Sequence, residues 1–240
     1  MSMLVVAEPG PPFASVATAR PRARLGGAVG VEDRQSVEAR LRAALGQGAR
    51  GLGVEQLALD EDACSLDGQP LRDAATWAQL LAAGRLREVE GAYALAWLDA
   101  RGVLHLARDP IGHRTLFYAR ARGGGWLFAS TVRALTATRA FDVRLDHAAL
   151  AAYLSCAYVP GRATPLAGVY EVLPGEVVRL EGDQPRHDEL PLPGDPPRFQ
   201  GEEALRPVLL EDLERAMRDR LPDADAPLAV TLSGGIDSSA

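Results

Sequence analysis

The residues with the clearest chemical potential lie near the end of the sequence. Leu228-Ala229-Val230-Thr231-Leu232, an apolar run of strand type, passes directly into Ser233-Gly234-Gly235-Ile236-Asp237-Ser238-Ser239. Two adjacent glycines let the backbone turn tightly and aim successive N–H groups at an anion. A helix starting there would add the positive end of its dipole. Ser233, Ser238 and Ser239 supply hydroxyl donors, so the ligand that suits the string is a pyrophosphate or triphosphate group. It is not a Walker-type loop, because no Gly-Lys-Ser/Thr is present. Asp237 is itself an anion and fits a Mg2+-linked or loop-fixing role better than direct phosphate contact. A plain Gly-Gly turn is the bland alternative, but the whole string after an apolar strand is far more specific than its two glycines.

The elements that must position this loop can be read from periodicity. A stiff, proline-rich linker over 191–200 precedes an amphipathic helix over 202–221, with Leu205, Leu209, Leu213 and Met217 on one stripe. Upstream, 92–98 and 103–107 form a hairpin around a Gly102 turn, and 115–119 with 126–129 a second around Gly123-Gly124-Gly125. Both hairpins are almost continuously apolar, which implies sheets covered on both faces. Val169 to Leu180 carries two short strands around Pro174-Gly175. Helices are expected at 37–45 (Ser36 as N-cap, Gly46 as stop), at 76–83 ended by Gly84, and at 147–154 capped by Asp146. Gly26-Gly27-Ala28-Val29-Gly30 reads as a small-residue strand that other backbone can approach closely. Residues 1–24 hold four prolines and at most one short strand at Leu4-Val5-Val6.

Bulk properties narrow the class. With 240 residues, 47% apolar and 24% charged, the chain suits one large domain or one domain plus part of another. A net charge of −6 argues against a general nucleic-acid binder. No apolar run reaches bilayer length and no signal-peptide pattern is present, so no membrane association and a cytoplasmic location are expected. Cys64 and Cys156 are too few for a disulfide framework or a zinc site.

Leu232 to Ser239 resembles the pyrophosphate loop of the N-type ATP pyrophosphatases. Arg108-Asp109-Pro110-Ile111-Gly112-His113-Arg114-Thr115-Leu116-Phe117-Tyr118-Ala119 is similar to a hallmark of the amidotransferase domain of the asparagine synthetase family. Gly91-Ala92-Tyr93-Ala94, Phe128-Ala129-Ser130, Tyr158-Val159-Pro160-Gly161 and Leu173-Pro174-Gly175 fit that family in the same order. The resemblance implies an α+β fold: a four-layer αββα sandwich of the N-terminal-nucleophile hydrolase type, followed by the start of an α/β ATP-pyrophosphatase domain. It divides the chain into an extension (1–24), a glutamine amidotransferase type 2-like domain (25–190), the linker (191–200) and the synthetase start (201–240). Arg108, Asp109 and Gly112 are implied to be structural, with Arg108 and Asp109 as a charge-assisted pair locking the turn.

The sequence departs from the family at several points. Glutamine-using members begin with a cysteine whose own amine serves as base. Here the best counterpart of that start is Leu25-Gly26-Gly27-Ala28-Val29-Gly30, well inside the chain, and Leu25 is no nucleophile. Ser2 would become N-terminal after methionine removal, but the residues after it do not resemble the family. The His-Arg-Gly-Pro-Asp stretch is replaced by Gly46-Gln47-Gly48-Ala49-Arg50-Gly51, and the Asn-Gly-Glu stretch by Leu66-Asp67-Gly68-Gln69. The acidic residue that would anchor the substrate amine falls near Thr76, with Asp73 close but out of register. Glutamine binding is therefore doubtful and glutamine hydrolysis is expected to be lost. The sequence also stops at Ala240, where the phosphate loop should enter its helix. Residues 201–240 are thus expected to be a truncated synthetase domain, with the Leu228–Leu232 strand lacking parallel neighbours and exposed.

The reading favoured is an ATP-dependent amide-forming ligase of the asparagine synthetase type. It would activate a small carboxylate or peptide with ATP and Mg2+ as an acyl-adenylate, releasing pyrophosphate. A homodimer is kept open as the oligomer. The missing nucleophile also resembles β-lactam synthetases and lasso-peptide cyclases, which use an intramolecular amine. A noncatalytic scaffold and a Ser2-dependent amidohydrolase are the remaining alternatives.

Overall fold

The computed structural model describes residues 3–4, 24–45, 49–50, 57–71, 73–190, 201–218, 221 and 231–235. In chain order the elements are β1 (Met3–Leu4), β2 (Arg24–Val29), α1 (Arg34–Leu45), β3 (Ala49–Arg50), β4 (Leu57–Leu66) and β5 (Gln69–Pro70). Next come α2 (Ala74–Ala82), β6 (Glu90–Leu98), β7 (Leu104–Arg108), β8 (Phe117–Arg120), β9 (Trp126–Ala129), α3 (Val132–Ala137) and α4 (His147–Cys156). The last are β10 (Val169–Glu171), β11 (Glu176–Glu181), β12 (Gln184–Glu189), α5 (Glu202–Arg218) and β13 (Thr231–Leu232). The chain divides into two compact units, Arg22–Asp195 and Met1–Pro21 with Pro196–Ala240.

The unit Arg22–Asp195 is built on two sheets. One has the order β10-β8-β9-β2-β3, the other β12-β11-β7-β6-β4-β5. Both predicted hairpins form, β6 with β7 and β8 with β9. Their continuous apolarity has a direct cause. Along β6, Ala94 and Ala96 enter a core cluster that also holds Tyr118, Phe128, Leu106 and Val178 from both sheets. The alternate residues Tyr93 and Leu95 enter a different cluster with Trp77 and Leu80 of α2. On β9, Phe128 joins the first cluster, whereas Leu127 and Ala129 pack with Val37, Leu41 and Leu135 of α1 and α3. Successive side chains point to opposite faces, so a strand apolar on both sides serves two cores.

Helix boundaries differ in detail from the sequence reading. α1 begins at Arg34, so Ser36 lies within the helix instead of capping it. The buried stripe Val37, Leu41, Leu45 is as expected, and the chain enters the helix from Asp33 with φ +52°. α2 starts at Ala74, with Asp73 as N-cap accepting from the Thr76 N–H. Asp146 caps α4, as its sequence position implied, and Ala157 closes it in the left-handed region. Four strands, β3, β4, β5 and β12, lie outside the sequence expectations. The burial pattern of β12 is nearly all solvent-facing, leaving no apolar alternation to read. Pro174-Gly175 does separate two strands, but they do not pair. β10 lies in the five-stranded sheet and β11 in the six-stranded one, so this turn carries the chain from one sheet to the other.

At the small-residue strand β2, the Gly26 and Gly27 α-carbons are approached by side chains. A Cβ on Gly27 would lie 2.5 Å from the Phe128 ring, and one on Gly26 would lie 2.6 Å from Leu45 Cδ1. Close backbone approach occurs instead at the end of the strand. A Cβ on Gly125 would lie 2.3 Å from the Gly30 carbonyl oxygen.

In the other unit, α5 ends at Arg218 and not at Leu221. Its apolar stripe is present but exposed, with Leu209 50% and Met217 67% accessible. β13 has no parallel neighbour among the described residues; it pairs antiparallel with β1, Met3 opposite Leu232. The linker over 191–200 and residues 228–230 of the expected strand lie outside the described residues. Among the described residues, no helix is long and apolar enough to cross a membrane.

Candidate functional site

The Arg108–Gly112 segment is densely hydrogen-bonded. Arg108 ends β7, and Asp109 follows with no exposed surface. Asp109 Oδ1 accepts from the N–H groups of Ile111 (3.1 Å), Gly112 (2.7 Å) and His113 (3.1 Å), and Oδ2 from Arg114 (3.3 Å). The carboxylate thereby stands in for the backbone partners that a tight loop lacks. Its charge is met by its own loop, and the expected Arg108–Asp109 pair does not form. Arg108 reaches away instead: Nη1 donates to Glu171 Oε1 (2.6 Å) and to the Val172 carbonyl (2.9 Å), and Nη2 to the Gly112 carbonyl (2.9 Å). An arginine on the six-stranded sheet thus ties down the end of β10 in the other sheet. Gly112 has φ +75°, and a Cβ there would lie 2.7 Å from Pro174 Cγ. The hallmark segment locks the sheet-switching turn, and among the described residues neither Arg108 nor Asp109 presents a reactive group to solvent.

Leu25, the residue at which the resemblance would place the nucleophile, is equally closed. Leu25 is fully buried in the cluster shared by the two sheets. Its N–H donates to Ser130 Oγ at 2.7 Å, and the Ser130 N–H returns a bond to its carbonyl at 2.9 Å. Leu66-Asp67-Gly68-Gln69 forms the β4–β5 hairpin, with φ +51° at Asp67 and +72° at Gly68. Asp73 is a helix cap, bonded to Thr76 N at 2.8 Å and Thr76 Oγ1 at 2.8 Å, which draws its carboxyl below the ordinary range. Cys64 is buried, its thiol donating to the Ala92 carbonyl at 3.4 Å. Ser2, Gly46 to Gly48 and Gly51 lie outside the described residues.

A polar cluster that the sequence reading did not single out sits at a cleft lined by Pro110, Arg162, Pro174, Glu176, His187 and Leu190. Glu176 is buried and accepts from Arg162 Nη1 at 2.9 and 3.1 Å and from the Leu173 N–H at 2.8 Å. His187 Nδ1 lies 2.9 Å from Glu176 Oε1. These residues come from three segments of the chain, and no local spacing signals their meeting.

Of the string Leu232 to Ser239, Ser233, Gly234 and Gly235 are described and exposed. Gly234 has φ +78°, and the Gly235 N–H donates to Ser233 Oγ at 3.3 Å. This turned, hydroxyl- and amide-bearing backbone has the donor chemistry that an anionic phosphate requires. Leu232 is described only as part of β13, and Ile236, Asp237, Ser238 and Ser239 lie outside the described residues. Among the described residues no His/Cys/Asp/Glu group is arranged to hold a metal ion.

A mixed α/β unit with antiparallel sheets is compatible with a glutamine amidotransferase domain. The family described as "Glutamine amidotransferase domain" matches residues 76–189, and "Asparagine synthase" matches residues 208–240. A Mycobacterium tuberculosis protein, provisionally named a glutamine-hydrolysing asparagine synthetase, is 32% identical over 168 residues, 65% of this chain and 25% of its own. The glutamine-hydrolysing asparagine synthetase 1 of Bacillus subtilis is 32% identical over 170 residues, 66% of this chain and 24% of its own. More particularly, then, this is an asparagine synthetase-like chain, and it spans about a quarter of the length of the curated relatives it matches.

Proposed function

We propose that the chain carries the amidotransferase-like part and the phosphate-loop start of an ATP-dependent amide-forming ligase that does not hydrolyse glutamine. We read 22–195 as a four-layer αββα sandwich of the N-terminal-nucleophile type, supported by three core clusters that link α1 and α3, the two sheets, and α2 in turn. The observation that carries the loss of glutaminase is Leu25. A fully buried aliphatic side chain, with its backbone N–H already bonded, offers neither a nucleophile nor a free amine.

In the synthetase step, a substrate carboxylate oxygen attacks the α-phosphorus of ATP, forming an acyl-adenylate and releasing pyrophosphate. An amine then displaces AMP to form the amide. Ser233 and the Gly234-Gly235 backbone would hold the departing pyrophosphate, with Ser238 and Ser239 adding hydroxyls. Mg2+, when bound through Asp237, would neutralise phosphate charge.

Exchange of labelled pyrophosphate into ATP by the gene product, with candidate carboxylates supplied singly, tests the ligase reading. Carboxylate-dependent exchange that is lost in Ser233→Ala supports it. No exchange with any carboxylate or precursor peptide favours a noncatalytic scaffold. The same Leu25 observation favours a second reading, a macrolactam- or β-lactam-forming synthetase that uses an intramolecular amine. A product that closes a ring without added ammonia would distinguish it. Ammonia release from glutamine that disappears in Ser2→Ala or Cys64→Ala would overturn the loss of glutaminase.

A further inference from the structure

The cleft beside the sheet-switching turn holds a three-way contact that cannot be satisfied in full. His187 Nδ1 lies 2.9 Å from Glu176 Oε1 and also 2.9 Å from Arg162 Nη1. Arg162 Nη1 lies 2.9 Å from the same Glu176 oxygen. A neutral ring with its lone pair on Nδ1 accepts from Arg162 but sets two acceptors face to face at Glu176. A ring protonated on Nδ1 donates to Glu176 but sets two donors face to face at Arg162. A single proton therefore decides which of the two bonds His187 keeps.

The consequence falls on the segment leaving α4. Arg162 belongs to that segment, while Glu176 and His187 are on paired strands of the six-stranded sheet. The segment is otherwise tied by the Glu171 N–H to the Arg162 carbonyl (2.8 Å), the Ala163–Tyr170 bridge and Thr164 Oγ1 to the Val169 carbonyl (2.9 Å). Among the described residues, Asp188 and Glu189 also line the cleft that holds His187. On β12, Glu189 shares its face, while Arg186 and Asp188 alternate to the other face, where Asp188 pairs with Arg179 of β11. From β8, Tyr118 bonds Arg162, and burial pushes its phenol up to about 12, so it stays neutral where imidazole titrates. Arg162 remains a cation throughout.

We propose that Arg162, Glu176 and His187 form a pH-responsive latch. When His187 is neutral with its proton on Nε2, Nδ1 accepts from Arg162 while Glu176 clasps Arg162 through both carboxylate oxygens, and the segment after α4 is held against the sheet. When it is protonated, the imidazolium takes Glu176, repels Arg162 and loosens that segment. The latch is independent of the ligase reading.

The test combines NMR titration of the His187 ring with amide hydrogen exchange in the 240-residue chain, in wild type and His187→Gln. The expected result is a ring that gains a proton as pH falls across the range in which histidine side chains change charge. Over that range the Glu171 amide, corrected for intrinsic rate, should exchange about fivefold faster in wild type and unchanged in the variant. Equal behaviour of the two proteins would overturn the latch, as would a ring that keeps one protonation state throughout. If the variant does not fold, wild-type Glu171 exchange that stays constant while the ring titrates overturns it equally.

Discussion

At the scale of single residues, the hallmark segment works through saturation of hydrogen bonds. Asp109 has no exposed surface, yet four backbone N–H groups face it and His113 Nδ1 lies 3.6 Å from Oδ1, so a buried charge is stabilised by its own loop. That frees Arg108 to span from one sheet to the other. Gly112 makes this possible, because its φ of +75° turns the loop and its missing Cβ leaves room for Pro174. Gly112→Ala is expected to cost about 2–4 kcal/mol, from left-handed strain plus a clash against a packed ring. Urea denaturation measures it. Pro174→Ala in the same chain should recover part of the loss, since the clash and not the strain is relieved. The residue types of this segment were legible from the sequence, but the partner of Arg108 was not. Glu171 is 63 positions away and reaches Arg108 only once both sheets exist.

At the scale of elements, turns and caps do most of the positioning. The β6–β7 turn is fixed by Asp99, whose carboxylate accepts from Arg101 N (2.9 Å), Val103 N (3.0 Å) and His105 Nε2 (3.2 Å). These bonds, that from Val103 foremost, hold its carboxyl at about 2, below the ordinary 3.8. A depressed carboxylate stabilises the fold above its unfolded pKa and loses that contribution as pH falls through the folded one. The stability gap between wild type and Asp99→Asn should therefore be fully open near neutral pH and close between about pH 4 and about pH 2. Thermal melts across that window test it. The β8–β9 turn carries a stricter constraint. A Cβ on Gly125, at φ +76°, would meet the backbone of Val29 and Gly30 at 2.3–2.5 Å, where no side chain can give way. Gly125→Ala should cost about 3 kcal/mol or more. The β2–β9 amides should lose protection first, as hydrogen exchange would show. Both hairpins were legible as two apolar runs around a turn. β12 was not, because an edge strand with no buried position carries no apolar alternation that distinguishes it from a loop.

At the scale of the whole molecule, a core has closed over the position where the family resemblance places a nucleophile. Leu25→Cys is accordingly expected to release no ammonia from glutamine, since the new thiol is buried and has no free amine beside it. A glutaminase assay on the folded variant checks this, and measurable turnover would show that burial is not the barrier. The sequence by itself determined the order of the parts that the comparisons match: an amidotransferase-like region, then a stretch similar to asparagine synthase. It did so because glycine turns, caps and apolar runs act over a few residues and leave a local trace. It also showed that Leu25 cannot act as a nucleophile. Tertiary structure alone decided that Pro174-Gly175 changes sheets, that Arg108 chooses Glu171 over its neighbour, and that Arg162, Glu176 and His187 meet at one cleft. Those outcomes depend on which strands become neighbours, and strand neighbours are set by burial summed over both sheets, not by any short window of residues.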